Sequence, residues 1–151
     1  TVNTGEVQVM SAGTGIVHSE YNHTAQPLTL YQIWLETNKN NATPRWESKQ
    51  FPNEFSSELT LLVSGYAEDK NTALYVHQKT RIYGGKLAKG TIVEQQIDHQ
   101  AYILASHGMF KVEDSASNIT MNKGDGLEVT GENVVLLKAL TDCEVLVIDT
   151  I

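Results

Sequence analysis

Apolar and polar residues alternate with a period of two along most of this 151-residue chain. That period suits strands, because a helical stripe repeats every 3.6 residues. Glu6–Met10, Leu28–Leu35, Glu58–Val63, Leu74–His77, Ile92–Ile97, Ala101–Ala105, Val134–Ala139 and Glu144–Ile148 read as strands rich in Val, Ile, Leu, Thr and Tyr. Turn chemistry separates them at Gly13-Thr14-Gly15, Gly84-Gly85, His107-Gly108, Gly124-Asp125-Gly126 and Gly131. No segment sustains a helical stripe for three turns. Arg45–Phe55 has room for one short helical turn, bounded by Pro44 and Pro52. Many short strands at regular spacing predict an all-β sandwich or barrel, and a jelly roll is one such solution.

The polar run from Asn38 to Pro44 separates an early strand group from a later one. Residues 1–56 are too few to close a barrel, whereas 57–151 suffice. The expected organisation is therefore the end of one domain with its linker over 1–56 and a complete barrel over 57–151. The opening Thr1-Val2-Asn3-Thr4-Gly5 has no basic region, apolar core or initiator Met. It reads as the start of a fragment or processed product rather than a signal peptide.

Charge and cysteine usage narrow the classes of function. The formal net charge is −7, and the eleven basic residues are scattered. Phosphate-driven nucleic-acid binding is not expected. No apolar run approaches the ~18 residues that span a bilayer. Cys143 is the only cysteine, so neither an internal disulfide nor a thiolate cluster is possible, which suits a cytoplasmic protein. Asn22, Asn41 and Asn118 begin Asn-x-Ser/Thr triplets, which we read as accidental.

His18-Ser19-Glu20 carries the sharpest chemical signal. On a strand, residues i and i+2 share a face, so an imidazole and a carboxylate would point the same way. Such a pair suits a borderline divalent metal. By spacing alone, a surface strand with two polar groups reads identically. Ser11 and Ser19 lack the His and Asp partners of a hydrolase. Gly13-Thr14-Gly15 is followed by neither Lys-Ser/Thr nor a helix, so it is not a phosphate loop.

The surroundings of this pair are more specific. The block Val7-Gln8-Val9-Met10-Ser11-Ala12-Gly13-Thr14-Gly15-Ile16-Val17-His18-Ser19-Glu20-Tyr21-Asn22 resembles the second metal motif of the pirin family, particularly its bacterial quercetinase-like members. The resemblance extends through Leu30-Tyr31-Gln32-Ile33-Trp34 and Thr43-Pro44-Arg45-Trp46-Glu47, and more loosely through Tyr75-Val76-His77-Gln78 to the C-terminal strands. It implies a bicupin, with two jelly rolls in one chain. In such proteins the front barrel holds a metal, usually iron, on three histidines and a glutamate. By that match His18 and Glu20 are metal ligands, and Glu20 is also the catalytic base. The two histidines of the family's early His-x-His motif have no counterpart in this sequence.

The resemblance thus implies a parent that is a quercetin 2,3-dioxygenase, using iron or another divalent transition metal on a flavonol. This chain is itself expected to be inactive, with metal absent or substoichiometric. The alternative is a metal-containing protein-binding module acting as a transcription cofactor. Self-association through exposed front strands is expected, with no nucleic-acid or membrane partner. The other histidines have structural readings: His23 in an exposed turn, His77 in a hydrogen bond, His99 beside Asp98, and His107 in a hairpin turn. The rear barrel is expected to be metal-free, as in the family. Glu36, Glu47 and Glu58 read as solvated, and Trp34 and Trp46 as packing a core or an interdomain seam.

Overall fold

The structure is a computed structural model that describes residues 2–151. It contains twelve strands and one short 3-10 turn, Ala67–Asp69. The strands are β1 (Glu6–Ser11), β2 (Arg45–Gln50), β3 (Thr60–Ser64), β4 (Leu74–Tyr75), β5 (Thr80–Leu87) and β6 (Ile92–Gln96). They continue with β7 (Gln100–His107), β8 (Met109–Glu113), β9 (Asn118–Asn122), β10 (Gly126–Thr130), β11 (Val134–Ala139) and β12 (Cys143–Thr150).

Two sheets build the jelly roll. One has six strands in the order β10-β7-β12-β5-β3-β4, the other four in the order β6-β11-β8-β9. Every pairing is antiparallel except β3 with β4. Between the sheets lies a core that includes Leu87, Ile103, Phe110, Met121, Val135, Leu137, Val145 and Val147. The alternation seen in the sequence is the alternation of this interior face: Val93 and Gln95 on β6, and Val135, Leu137 and Ala139 on β11, are buried while their neighbours are not.

A separate two-stranded sheet, β1 with β2, packs through a second apolar cluster of Val9, Phe51, Val63, Leu74 and Ile82, flanked by Val7, Leu35, Leu146 and Ile148. This cluster covers the outer face of β12, β5, β3 and β4 in the six-stranded sheet. Strand β12 is therefore apolar on both faces: Val145 and Val147 enter the interior core while Leu146 and Ile148 meet the outer cluster. A strand buried on both sides reads as a continuous apolar run, as Val-Leu-Val-Ile does here.

Several sequence expectations are corrected. Arg45–Gln50 is a strand and not a helical turn; it pairs with β1 over six residues, so Val7–Met10 has a partner within the chain. Its sequence, RWESKQ, hides this because only Arg45 and Ser48 are even half-buried. Leu28–Leu35 is not a strand: no neighbouring backbone pairs with it among the described residues, and only Leu35 packs against the outer cluster. Gly84-Gly85 lies within β5 and is not a turn. A Cβ on Gly84 would stand 2.8 Å from Leu62 Cδ1, so the residue is a point of close approach. His107-Gly108 is not a hairpin turn, because β7 belongs to the larger sheet and β8 to the smaller; the chain crosses between sheets there.

Candidate functional site

The His18–Glu20 segment lies in the long connection between β1 and β2. The base of this connection is pinched shut. A Cβ on Gly13 would lie 1.7 Å from the carbonyl oxygen of Ala42, itself buried. Gly13 has φ of 55°, and the Gly15 N–H donates to the Ala12 carbonyl at 2.8 Å, turning the chain away from β1.

Beyond the base, a side-chain turn is built on Asn22. Its Nδ2 donates to the Gln26 carbonyl at 2.7 Å, while the Thr24 N–H and hydroxyl donate to its Oδ1 at 3.0 and 2.8 Å. Farther along, Gln32 Nε2 donates to Glu20 Oε2 at 2.5 Å. A neutral donor on one oxygen orients a carboxylate and leaves its charge intact. Gln32 sits inside the quoted Leu30–Trp34 block, but its spacing of twelve from Glu20 carries no signal in the sequence. Only the tertiary turn joins the two residues.

His18 and Glu20 are both exposed. Tyr21 and His23 meet edge to face with ring centroids 4.5 Å apart. Among the described residues no group of three or more His, Cys, Asp or Glu side chains converges. His18 and Glu20 thus present metal-compatible donor types, without a third from the described residues. Around them the apolar surface is uncovered: Val17, Tyr21, Leu28, Leu30, Tyr31 and Ile33 are all exposed. Trp34 is 90% and Trp46 69% exposed, so neither packs a core within this chain.

The remaining histidines lie elsewhere. The His77 carbonyl accepts from the Asn38 N–H at 2.8 Å and the Thr37 hydroxyl at 3.0 Å, while its ring meets Tyr75 edge-on at 5.1 Å. His77 thus makes its structural hydrogen bonds through the backbone. His99 Nε2 is 3.1 Å from the Tyr66 hydroxyl, and His107 is exposed. Glu36, Glu47 and Glu58 are exposed, Glu47 pairing with Arg45 at 2.5 Å.

Sequence reading missed the densest ionic cluster. Arg81 donates through Nε to Asp69 Oδ2 at 2.7 Å and through NH2 to Glu68 Oε1 at 2.8 Å, and NH1 bonds Asp98. Its guanidinium stacks 4.1 Å from the Tyr66 ring centroid. Burial works against the arginine's charge, but the bond to Asp69 and the charges of Asp69 and Asp98 outweigh it and raise its pKa. Burial likewise opposes the Asp69 carboxylate, yet hydrogen bonds from Ser64 and Arg81 hold its pKa below the ordinary value. Asp149, 3% exposed, accepts the backbone N–H groups of Asp98 and His99 at 2.7 and 3.2 Å. The guanidinium meets a carboxylate at each of its three nitrogens, using three of its five N–H donors.

Comparison with known proteins agrees with this architecture. Residues 61–150 match the family described as the quercetinase C-terminal cupin domain, and residues 1–35 match the pirin family. The chain is 35% identical to a protein of Escherichia coli K12 named quercetin 2,3-dioxygenase, over 98% of this chain and 62% of that one. It is 33% identical to a pirin-like protein of Caulobacter vibrioides, over 96% of this chain and 62% of the relative. The crystal structure of YhhW from Escherichia coli superposes with a TM-score of 0.86 at 33% identity, covering 99% of this chain and 62% of YhhW. A second structure, the bacterial pirin YhhW in complex with nickel(II), gives a TM-score of 0.84. The chain spans about three-fifths of the length of each of these proteins. Its paired sheets have the cupin jelly-roll fold, and with the two family matches falling on its front and rear segments, the chain belongs to the pirin family.

Proposed function

We propose that this chain contributes His18 and Glu20 to the divalent-metal site of a flavonol 2,3-dioxygenase. The observation that carries the reading is the Glu20 carboxylate, two residues from an exposed imidazole and fixed by Gln32. Family membership, relatives named quercetin 2,3-dioxygenase and a neighbour solved with nickel(II) support it. When bound, the metal supplies open coordination positions and a Lewis-acid charge that eases loss of the flavonol's hydroxyl proton. His18 would hold the metal through a ring nitrogen, and Glu20 would hold it through its carboxylate, which Gln32 orients, and would serve as the base for the flavonol's hydroxyl proton.

Two donors are fewer than the three or four of a protein metal site. The remaining donors come from outside these 151 residues, and the chain alone binds metal weakly and turns over little flavonol. We read 57–151 as the closed cupin unit and 1–56 as the portion that belongs with the site.

Titration with nickel(II) and iron(II), followed by calorimetry, tests the assignment. Weak binding that disappears in both His18→Ala and Glu20→Ala is expected. Binding that survives in the double variant would locate the metal elsewhere and overturn the reading.

A further inference from the structure

Residues 65–79, which link β3 to β5, are gripped from two sides. On the barrel side Arg81 holds Glu68 and Asp69, Ser64 Oγ donates to Asp69 Oδ2 at 2.7 Å, and the Tyr66 hydroxyl meets His99. On the other side the hydrogen bonds from the front segment to this link, among the described residues, all end on carbonyl oxygens. Lys49 Nζ donates to Thr72 at 2.7 Å, and Arg45 NH1 to Tyr75 at 3.1 Å. The Asn38 N–H and the Thr37 hydroxyl donate to His77 at 2.8 and 3.0 Å. Between the two grips Leu74 is 2% exposed and packs in the cluster of Val9 and Phe51.

The barrel-side grip has an identifiable centre. Glu68 and Asp98 are 65% and 52% exposed, and exposed pairs contribute little. The Arg81–Asp69 pair is 17% exposed on both sides, and Ser64 adds a bond to the same carboxylate oxygen. We propose that residues 65–79 act as a strap that transmits the position of the Arg81 cluster to the front segment. Arg81 is then a positioning residue for the loop that carries His18 and Glu20. Loss of Arg81 leaves the strap's carbonyls in place chemically but releases the turn that aims them. Thr37, Asn38 and Arg45 lose a fixed anchor as a result. The inference does not depend on metal binding, and its test uses none.

Hydrogen exchange of the full chain at neutral pH, without metal, decides the matter. The amides of Ala73 and Val76 report the strap, bonded to Asp69 and Ser64, and that of Asn38 reports the front segment. In Arg81→Met all three should exchange about tenfold faster or more, while Ile103 and Val147 of the barrel core keep their protection. Arg81→Lys keeps the charge but not the fork, and should fall between wild type and Arg81→Met. Faster exchange at Ala73 and Val76 with Asn38 unchanged would overturn the coupling. Equal acceleration at Ile103 and Val147 would make Arg81 a general stabiliser and also overturn it. If Arg81→Met does not fold, Lys49→Met, an exposed change at the far grip, carries the test alone. Val76 and Asn38 should then exchange faster, and unchanged rates would sink the strap.

Discussion

Among the described residues Glu20 takes its hydrogen bond from the neutral Gln32 side chain, so this partner is open to test without altering charge. Gln32→Ala should weaken metal binding by about tenfold, the low end for a ligand's hydrogen-bond partner, and leave the thermal midpoint unchanged, because both groups are exposed. Calorimetry and thermal denaturation on the same samples would separate the two effects. Gly13 is constrained by its left-handed φ and by the Ala42 carbonyl. Gly13→Ala should cost roughly 1–3 kcal/mol, read by denaturant unfolding, because the base of the loop must open to admit a methyl group. Cys143 is 1% exposed, and burial, with the charges of Asp142 and Glu144, pushes its thiol up to about 11. It should therefore stay unreactive toward a thiol-specific disulfide reagent at neutral pH until the protein unfolds. The linkage follows from the sign: a raised pKa contributes stability below the ordinary value of 9.0 that is lost as pH climbs toward 11.

At the scale of elements, the outer cluster and the strap are two separable attachments of the front segment. Phe51 is 6% exposed in the cluster formed with Val9, Val63, Leu74 and Ile82. Phe51→Ala should cost about 3–5 kcal/mol in that cluster. Exchange should rise at the β1–β2 amides, with Ile103 and Val147 spared, since those lie in the other core. The strap has its own pH dependence. The Asp69 pKa is depressed, so its bond to Arg81 stabilises at pH above the ordinary carboxylate value of 3.8 and fades as pH falls below it. Acidification through that range should unprotect Ala73 and Val76 before the barrel strands.

The molecule joins a jelly roll to a front segment with an uncovered apolar flank. Leu28, Leu30 and Tyr31 are each 56% exposed and Trp34 is 90% exposed. Side chains of this kind gain ~1.5–3 kcal/mol each when fully buried. Backbone without a strand partner adds hydrogen-bonding groups that another chain can satisfy. Analytical ultracentrifugation over a dilution series should show reversible self-association despite the net charge of −7. A monomer at every concentration, with the Leu28–Leu35 amides protected, would show the flank satisfied within one chain. As purified, the chain should also hold well under one equivalent of transition metal, and elemental analysis finding a full equivalent in a monomer would contradict the two-donor site.

The period of two determined the fold class, because alternation is a local property of a strand that faces a core on one side. It located β1, β6, β7, β11 and β12 within a few residues, and the block around His18 and Glu20 pointed to the family. Tertiary contacts decided the rest. Gly84 looked like a turn because glycine is the residue of turns, yet it lies in β5 where Leu62 crosses its face. β2 has no apolar alternation and exists through its pairing with β1. Leu28–Leu35 has the alternation and is no strand, since a strand requires a neighbour as well as a pattern. Gln32 at Glu20, and Arg81 at Glu68, Asp69 and Asp98, are meetings of residues 12 to 17 positions apart, set by turns that side chains build. Hydrophobic burial leaves a period in the sequence; an ion pair or hydrogen bond between distant residues leaves none, so only the folded chain could show them.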